Sequence, residues 1–336
     1  MAHPGFLHSY TSRLTAFEHA PTKATSPDKP HNILLWIGGL GDGPLGVRYP
    51  TAIAKSLPSD WSLAEVLISS AYDGWGIGSL KRDAQEVGEC VAYFKSLLPG
   101  GKVVLMGHST GCQDIMEYLV GAGSAERPAI DAAILQAGVS DRQAWDAMSA
   151  EDEDMKKHLA HTTALAQEMI DAGKEDELLP RKDNPIMELF GAPCTAYRVN
   201  SLLAKGGDDD YFSTDLPDEF FERTFGKIPN ETRLMLLWGS RDPFVPKEVD
   251  KEGVLRRFAR FVKDGSGNVD DINGGVVEGA THNLNDDAEE IVQDLVGRVV
   301  RFVSSIEGQE EGSSVAEVPR SDVLARERLV RDPEGK

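Results

Sequence analysis

Lys102-Val-Val-Leu-Met-Gly-His-Ser-Thr-Gly-Cys-Gln-Asp114 decides the fold. Its first half is a short, unbroken apolar run, the pattern of a strand covered on both faces. Its second half opens a helix that runs to about Val120. Between them, Gly107-His-Ser-Thr-Gly111 supplies a turn whose two glycines leave space where side chains would collide. The bare pattern Gly-x-Ser-x-Gly carries little weight, since chance produces one in a chain this long with a probability of about 0.1–0.2. Placed between a buried strand and a helix, it becomes the setting of a nucleophile elbow, in which a strained turn lifts a serine Oγ above the sheet.

Working outward, the same rhythm repeats. Toward the N-terminus, Leu14-Thr-Ala-Phe-Glu18 alternates like a half-exposed strand. Residues 21–30 form a polar, proline-bearing turn region, and Asn32-Ile-Leu-Leu-Trp-Ile37 is a second fully apolar strand. A short helix is expected over residues 49–57, a strand over 62–68 and a helix over 79–98, stopped by Pro99-Gly-Gly101. Toward the C-terminus, Ala132-Ala-Ile-Leu-Gln136 and Arg233-Leu-Met-Leu-Leu-Trp238 are strands. Asn273-Gly-Gly-Val-Val-Glu278 is expected to be the last, before a helix over residues 288–303. Strand and helix alternating in this way predict a mostly parallel central sheet with helices on both faces, joined by right-handed crossovers.

The rhythm breaks between residues 141 and 230. Glu151-Asp-Glu-Asp154 opens a charged helical stretch, Gly206-Gly-Asp-Asp-Asp210 reads as a loop, and no strand pattern occurs. An insertion of this length between two sheet strands predicts a helical lid or cap rather than a bare loop. The expected organisation is an α/β core formed by residues 1–140 and 231–306, the lid insertion 141–230, and a charged C-terminal tail, 307–336.

Bulk properties narrow the function. The formal charge of −20 repels phosphate backbones, so nucleic acid is not an expected partner. The three cysteines, Cys90, Cys112 and Cys194, have neither disulfide-framework nor zinc spacing. No apolar run near the N-terminus suits a signal peptide, and none elsewhere suits a membrane helix. The expectation is a cytoplasmic protein that needs no metal or other cofactor and does not engage membranes.

A serine hydroxyl needs a base at hydrogen-bond distance, an acid to orient that base, and donors for the developing oxyanion. Ser109 is the candidate nucleophile. His282, in Gly279-Ala-Thr-His-Asn-Leu284 between the last strand and the last helix, is the candidate base. Asp242, in the loop leaving the strand that ends at Trp238, is the candidate acid. The order serine, aspartate, histidine is the one this kind of sheet uses. Asp141, just past another strand, is a rival acid, and Asp208 to Asp210 read as a solvated charge run. His108, inside the elbow, is expected to pack rather than to act as base. Asp114 lies in a first helical turn, where the helix dipole accounts for it.

The backbone N–H of Thr110 and one from Gly38-Gly-Leu-Gly41 are the expected oxyanion donors. Leu40 is the choice in that loop, with Gly39 or Gly41 as alternatives. The loop lacks the Gly-Lys-Ser/Thr ending of a phosphate loop. Tyr72 and Trp75, in the loop after residues 62–68, are candidates for an aromatic wall of the substrate pocket.

Taken together, Gly5-Phe-Leu-His-Ser-Tyr10, Ile37-Gly-Gly-Leu-Gly-Asp-Gly43, Ser70-Ala-Tyr-Asp-Gly-Trp-Gly76, Gly107-His-Ser-Thr-Gly-Cys-Gln-Asp114 and Gly279-Ala-Thr-His-Asn283 resemble a mostly fungal group of α/β-hydrolases. The group was long known only as a domain of unknown function. It includes intracellular esterases that cut the ester bonds of fusarinine-type ferric siderophores. The resemblance spans residues from about 5 to about 305, and it implies the same nucleophile, acid and base: Ser109, Asp242 and His282. It implies a small-molecule ester substrate, with an iron-siderophore as one form of it. A thioesterase, lipase or peptidase on the same fold is the rival chemistry, and a non-catalytic ligand-binding homologue is the rival class. Epoxide hydrolases and dehalogenases are not expected, because they need an aspartate where Ser109 stands.

Overall fold

A computed structural model describes residues 2–22 and 30–306. The expected tail at 307–336 and most of the turn region at 21–30 lie outside them.

The sheet is built in the order β1 (Gly5–Ser9), β2 (Thr15–His19), β4 (Trp61–Val66), β3 (Asn32–Ile37), β5 (Val103–His108), β6 (Ala132–Gln136), β7 (Arg233–Gly239) and β8 (Asn268–Val269), while β9 (Gly275–Val277) also pairs with β7. The pairs β1–β2 and β2–β4 are antiparallel, and every other pair is parallel. This is the mostly parallel sheet that the alternating pattern predicts.

The two-residue period of a strand explains the layering. Ile33, Leu35, Val103, Leu105, Leu234 and Leu236 point to one face and share a core with α2 (Leu80–Leu97), α3 (Gly111–Val120) and α9 (Lys251–Asp264). Leu34, Trp36, Val104, Met106, Met235 and Leu237 point to the other face, beneath α1 (Tyr49–Ser56) and α10 (Glu289–Ile306). Strands buried on both faces cannot carry the polar alternation of a surface sheet, so they read as continuous apolar runs.

Between β6 and β7 the chain forms α4 (Asp141–Ser149), α5 (Glu153–Asp171), α6 (Pro185–Phe190), α7 (Ala196–Leu203) and α8 (Asp218–Arg223). Several of these helices begin at side-chain caps: Ser140 on Gln143 N–H, Asp152 on Met155 N–H, Asn184 on Met187 N–H and Thr195 on Arg198 N–H. Leu159, Ala166, Ile186, Met187, Val199 and Leu202 give the segment an apolar cluster of its own, which Trp75 joins.

The edge beyond β7 differs from expectation. One strand over residues 273–278 is predicted; the structure has β8 and β9 separated by a loop gathered around Asp270. That carboxylate accepts hydrogen bonds from Ile272 N–H, Asn273 N–H and the Asn273 side chain. Helix α9, absent from the sequence-based assignment, buries Leu255, Phe258, Phe261 and Val262. Strand β1 was also missed. It is an edge strand with most residues exposed, so its sequence shows no alternation. Among the described residues, no helix is long and apolar enough to cross a membrane.

Candidate active site

Strand β5 ends at His108, and Ser109 adopts φ +53°, the left-handed region that side-chain-bearing residues rarely occupy. Neighbouring backbone leaves no alternative at the flanking positions. A Cβ on Gly107 would lie 2.4 Å from Gly111 O, and one on Gly111 would lie 2.4 Å from Ile37 O. Ser109 N–H donates to Gln136 O at 3.1 Å, and Cys112 N–H donates to Ser109 O at 2.8 Å, so the turn passes directly into α3. The elbow forms where the sequence places it.

The acid and base meet across two loops. Asp242 leaves β7 and His282 leaves β9, and these strands are parallel neighbours. Ser240 N–H donates to Val277 O and Arg241 N–H to Ala280 O, which holds the loops together. The Asp242 side chain is fully buried, and its Oδ2 lies 2.8 Å from His282 Nδ1. Its Oδ1 accepts from Phe244 N–H at 3.0 Å. An acid so satisfied fixes the tautomer and orientation of the ring. Nδ1 is then the donor, and Nε2 makes no hydrogen bond to the described residues. The base pair lies next to the elbow: the His282 ring is 4.9 Å from the ring of His108, the residue before Ser109.

Phe244, Gln136 and Tyr49, which sequence reasoning passed over, support this arrangement. The Phe244 ring meets the His282 ring edge-on at 4.7 Å. Gln136, the last residue of β6, donates from Nε2 to the backbone oxygen of His282 at 3.1 Å. Its Oε1 accepts from the Tyr49 hydroxyl at 2.9 Å and from His108 Nδ1 at 2.6 Å. His108 also stacks on Trp36, and burial pushes its pKa down to about 3, so it stays neutral beside the base. A glutamine ending a buried strand, where a polar group needs partners, was the available signal for this hub.

The glycine-rich loop after β3 closes into a turn, with Asp42 N–H donating to Gly39 O at 3.1 Å. Gly41 has φ +79°, the third-residue geometry of a type II turn. Gly39 is pressed against the nucleophile, since a Cβ there would lie 2.6 Å from Ser109 Cβ. Its N–H is taken by Asp42 Oδ2 at 2.9 Å, which removes Gly39 from the oxyanion candidates. The N–H groups of Leu40 and Gly41 make no hydrogen bond to the described residues. Thr110 N–H is likewise free of such a partner, at the start of α3.

A crevice of about 320 Å³ runs from this loop to the insertion, within the size range of small-ligand sites. Leu40, Gly41 and Trp75 line it from the core, and Trp145, Phe190 and Leu202 from the insertion. Trp75 and Trp145 stand 5.4 and 5.1 Å from the Phe190 ring. Trp75 therefore stands where an aromatic wall is expected. Tyr72 does not line this crevice: its ring leans on Gly43, and its N–H donates to Asp42 O at 2.9 Å, which makes it a brace of the loop.

Asp141 does not face the base as an acid partner. It opens α4, accepts from Gln113 Nε2 at 3.2 Å and lines the crevice. Nor is the run Asp208 to Asp210 solvated, as the sequence suggests. Asp209 and Asp210 are buried, held by Arg198 and Arg142, and only Asp208 is exposed. Arg198 is itself buried; it pairs with Asp209 at 2.5 Å and donates to Trp75 O at 3.0 Å.

The family model described as a protein of unknown function, DUF1749, matches residues 1–304. The chain belongs to this family. It is 35% identical over 345 residues to fusarinine C esterase sidJ of Aspergillus fumigatus, covering 90% of this chain and 96% of that one. Among solved structures, a siderophore hydrolase, EstB, from Aspergillus fumigatus superposes with a TM-score of 0.79 at 34% identity, over 91% of this chain and 98% of that one. A thermostable carboxyl esterase from Bacillus coagulans, at 17% identity and a TM-score of 0.58 over 91% of this chain and 99% of that one, shares the fold alone. The family member described here has the α/β-hydrolase fold.

Proposed function

We propose that this protein is a cytoplasmic serine esterase that opens an ester bond of a fusarinine-type ferric siderophore, releasing iron for cellular use. The observation that carries the proposal is the left-handed Ser109 between β5 and α3, with His282 on the buried Asp242 carboxylate beside it. The names of the relatives support the substrate class. In this proposal residues 1–140 and 231–306 form the catalytic core, and the helical insertion at 141–230 caps it.

Ser109 Oγ attacks the ester carbonyl carbon while His282 Nε2 takes its proton, and Asp242 stabilises the resulting imidazolium. The negative charge gathering on the carbonyl oxygen is met by the N–H groups of Thr110 and Leu40. The tetrahedral species collapses as His282 returns the proton to the leaving alcohol. Water, deprotonated by His282, then cleaves the acyl-enzyme, freeing the acid and Ser109. Trp75 provides one side of the substrate crevice. The iron enters as part of the substrate.

The test combines two measurements. A fluorophosphonate probe is expected to label the wild-type protein and not Ser109→Ala. Mass spectrometry after incubation with a ferric fusarinine-type ester is expected to detect the hydrolysed fragments. An unlabelled wild-type protein would end the serine-hydrolase proposal; cleavage of simple acyl esters alone would end only its siderophore part.

A further inference from the structure

The loop that carries the oxyanion donor has no contact with Ser109 that could hold its N–H groups at hydrogen-bond precision. Gly39 touches Ser109 only by packing, and Gly41 adds conformational freedom. Oxyanion stabilisation requires donors fixed before the charge develops, because the field must not reorganise during the reaction. Something else must fix this loop.

We infer that Asp42 is the positioning residue of the oxyanion hole: its carboxylate and backbone clamp the Gly39–Asp42 turn from both ends, so that Leu40 N–H stays aimed at the substrate carbonyl oxygen. This rests on the active-site assignment proposed above and adds to it a residue that neither the sequence nor the triad geometry singles out.

Three contacts carry the inference. Asp42 Oδ2 accepts from Gly39 N–H at 2.9 Å, while Asp42 N–H donates back to Gly39 O at 3.1 Å. This reciprocal pair closes the turn and occupies the one donor of the loop that is packed against Ser109. Asp42 O then accepts from Tyr72 N–H, which fastens the turn to the neighbouring loop.

The carboxylate's role as an acceptor is separable from its charge. In Asp42→Asn the amide oxygen still accepts from Gly39 N–H. In Asp42→Ala nothing does, and the turn is held by its backbone bond alone. For Asp42→Ala we expect kcat on an ester substrate to fall about 10- to 100-fold with KM within about twofold, because the loss is of transition-state stabilisation rather than binding. Affinity for a boronic acid, whose tetrahedral adduct occupies the oxyanion hole, falls by the same factor. Asp42→Asn restores kcat to within about threefold of wild type.

Rates are taken per active site, titrated to completion with the fluorophosphonate, so partial unfolding of a variant does not imitate the effect. An Asp42→Ala protein with wild-type kcat per titrated site, or an Asp42→Asn protein as slow as Asp42→Ala, overturns the inference while leaving the esterase assignment intact. A wild-type protein that neither takes the probe nor cleaves any ester removes the assignment itself, and the inference with it.

Discussion

Asp242 with His282 and Asp209 with Arg198 are both hydrogen-bonded pairs on a buried carboxylate, at 2.8 and 2.5 Å, yet they are built for opposite purposes. In the first, one carboxylate is fully satisfied by one ring nitrogen and one backbone N–H, and the second ring nitrogen is left free. In the second, one guanidinium serves four carboxyl groups. Asp83, Asp114 and Asp141 feel its charge besides Asp209, and the buried Oδ1 atoms of Asp114 and Asp209 have no hydrogen-bond partner among the described residues. A matched pair with one free atom is suited to moving a proton. An over-subscribed cation between core helices and the insertion is suited to holding parts together.

Breaking the matched pair gives the largest effect. Asp242→Asn keeps the shape and the acceptor for Phe244 N–H, but an amide cannot stabilise an imidazolium and favours the wrong ring tautomer. We expect kcat to fall about 10³- to 10⁴-fold, with the urea unfolding midpoint close to wild type. A loss below tenfold would mean that another acid, with Asp141 the first to examine, orients the base.

Breaking the over-subscribed pair strikes stability first. Arg198→Met keeps an unbranched apolar stem but removes the guanidinium, and with it the cation that the four carboxyl groups share. Removing one partner of a buried pair costs about 3–5 kcal/mol, because the charge left behind is unpaired. Here the cost is expected to be smaller at pH 5 than at pH 8, since protonation relieves the abandoned carboxylates. Urea unfolding at the two pH values checks this. An equal loss at both would mean that Arg198 acts by packing and by its bond to Trp75 O rather than by charge.

The contrast also explains what could be read in the sequence. The core strands were legible because burial on both faces forces unbroken apolar runs, and the elbow because a left-handed serine requires glycines at 107 and 111. Asp242 and His282 followed from their positions after β7 and β9. Helix α9 was missed although Leu255, Phe258 and Phe261 repeat at helical spacing with Arg256, Arg257 and Arg260 between them, the pattern of an amphipathic helix. The Arg198 group was illegible for a deeper reason. Its members come from α2, α3, α4, α7 and the loop after α7, so no local window contains the pairing. Asp209 reads as solvated until Arg198 is placed beside it. Gln136 and Asp42 were hidden in the same way, each defined by partners far along the chain or by a turn only the fold closes.

The smallest expected effect discriminates most sharply within the crowded group. Burial, reinforced by the charge of Asp209, pushes the Asp141 carboxyl up to about 7, while Arg198 and His282 act to lower it. An aspartate in the unfolded chain titrates near pH 4. Between about pH 4 and 7 the folded protein therefore keeps a proton that the unfolded chain has released, and stability declines as pH rises through that window. Asp83, pushed up to about 6, adds to the lower part of the same decline. An amide in place of this carboxyl has no charge to bury, so Asp141→Asn is expected to gain over wild type at pH 8 and to gain little at pH 5. Melting curves should put the gain at about 2–4 °C at the higher pH. A gain independent of pH would mean that Asp141 does not titrate in this window, and that Arg198 neutralises its neighbours more fully than one cation among four carboxyl groups suggests.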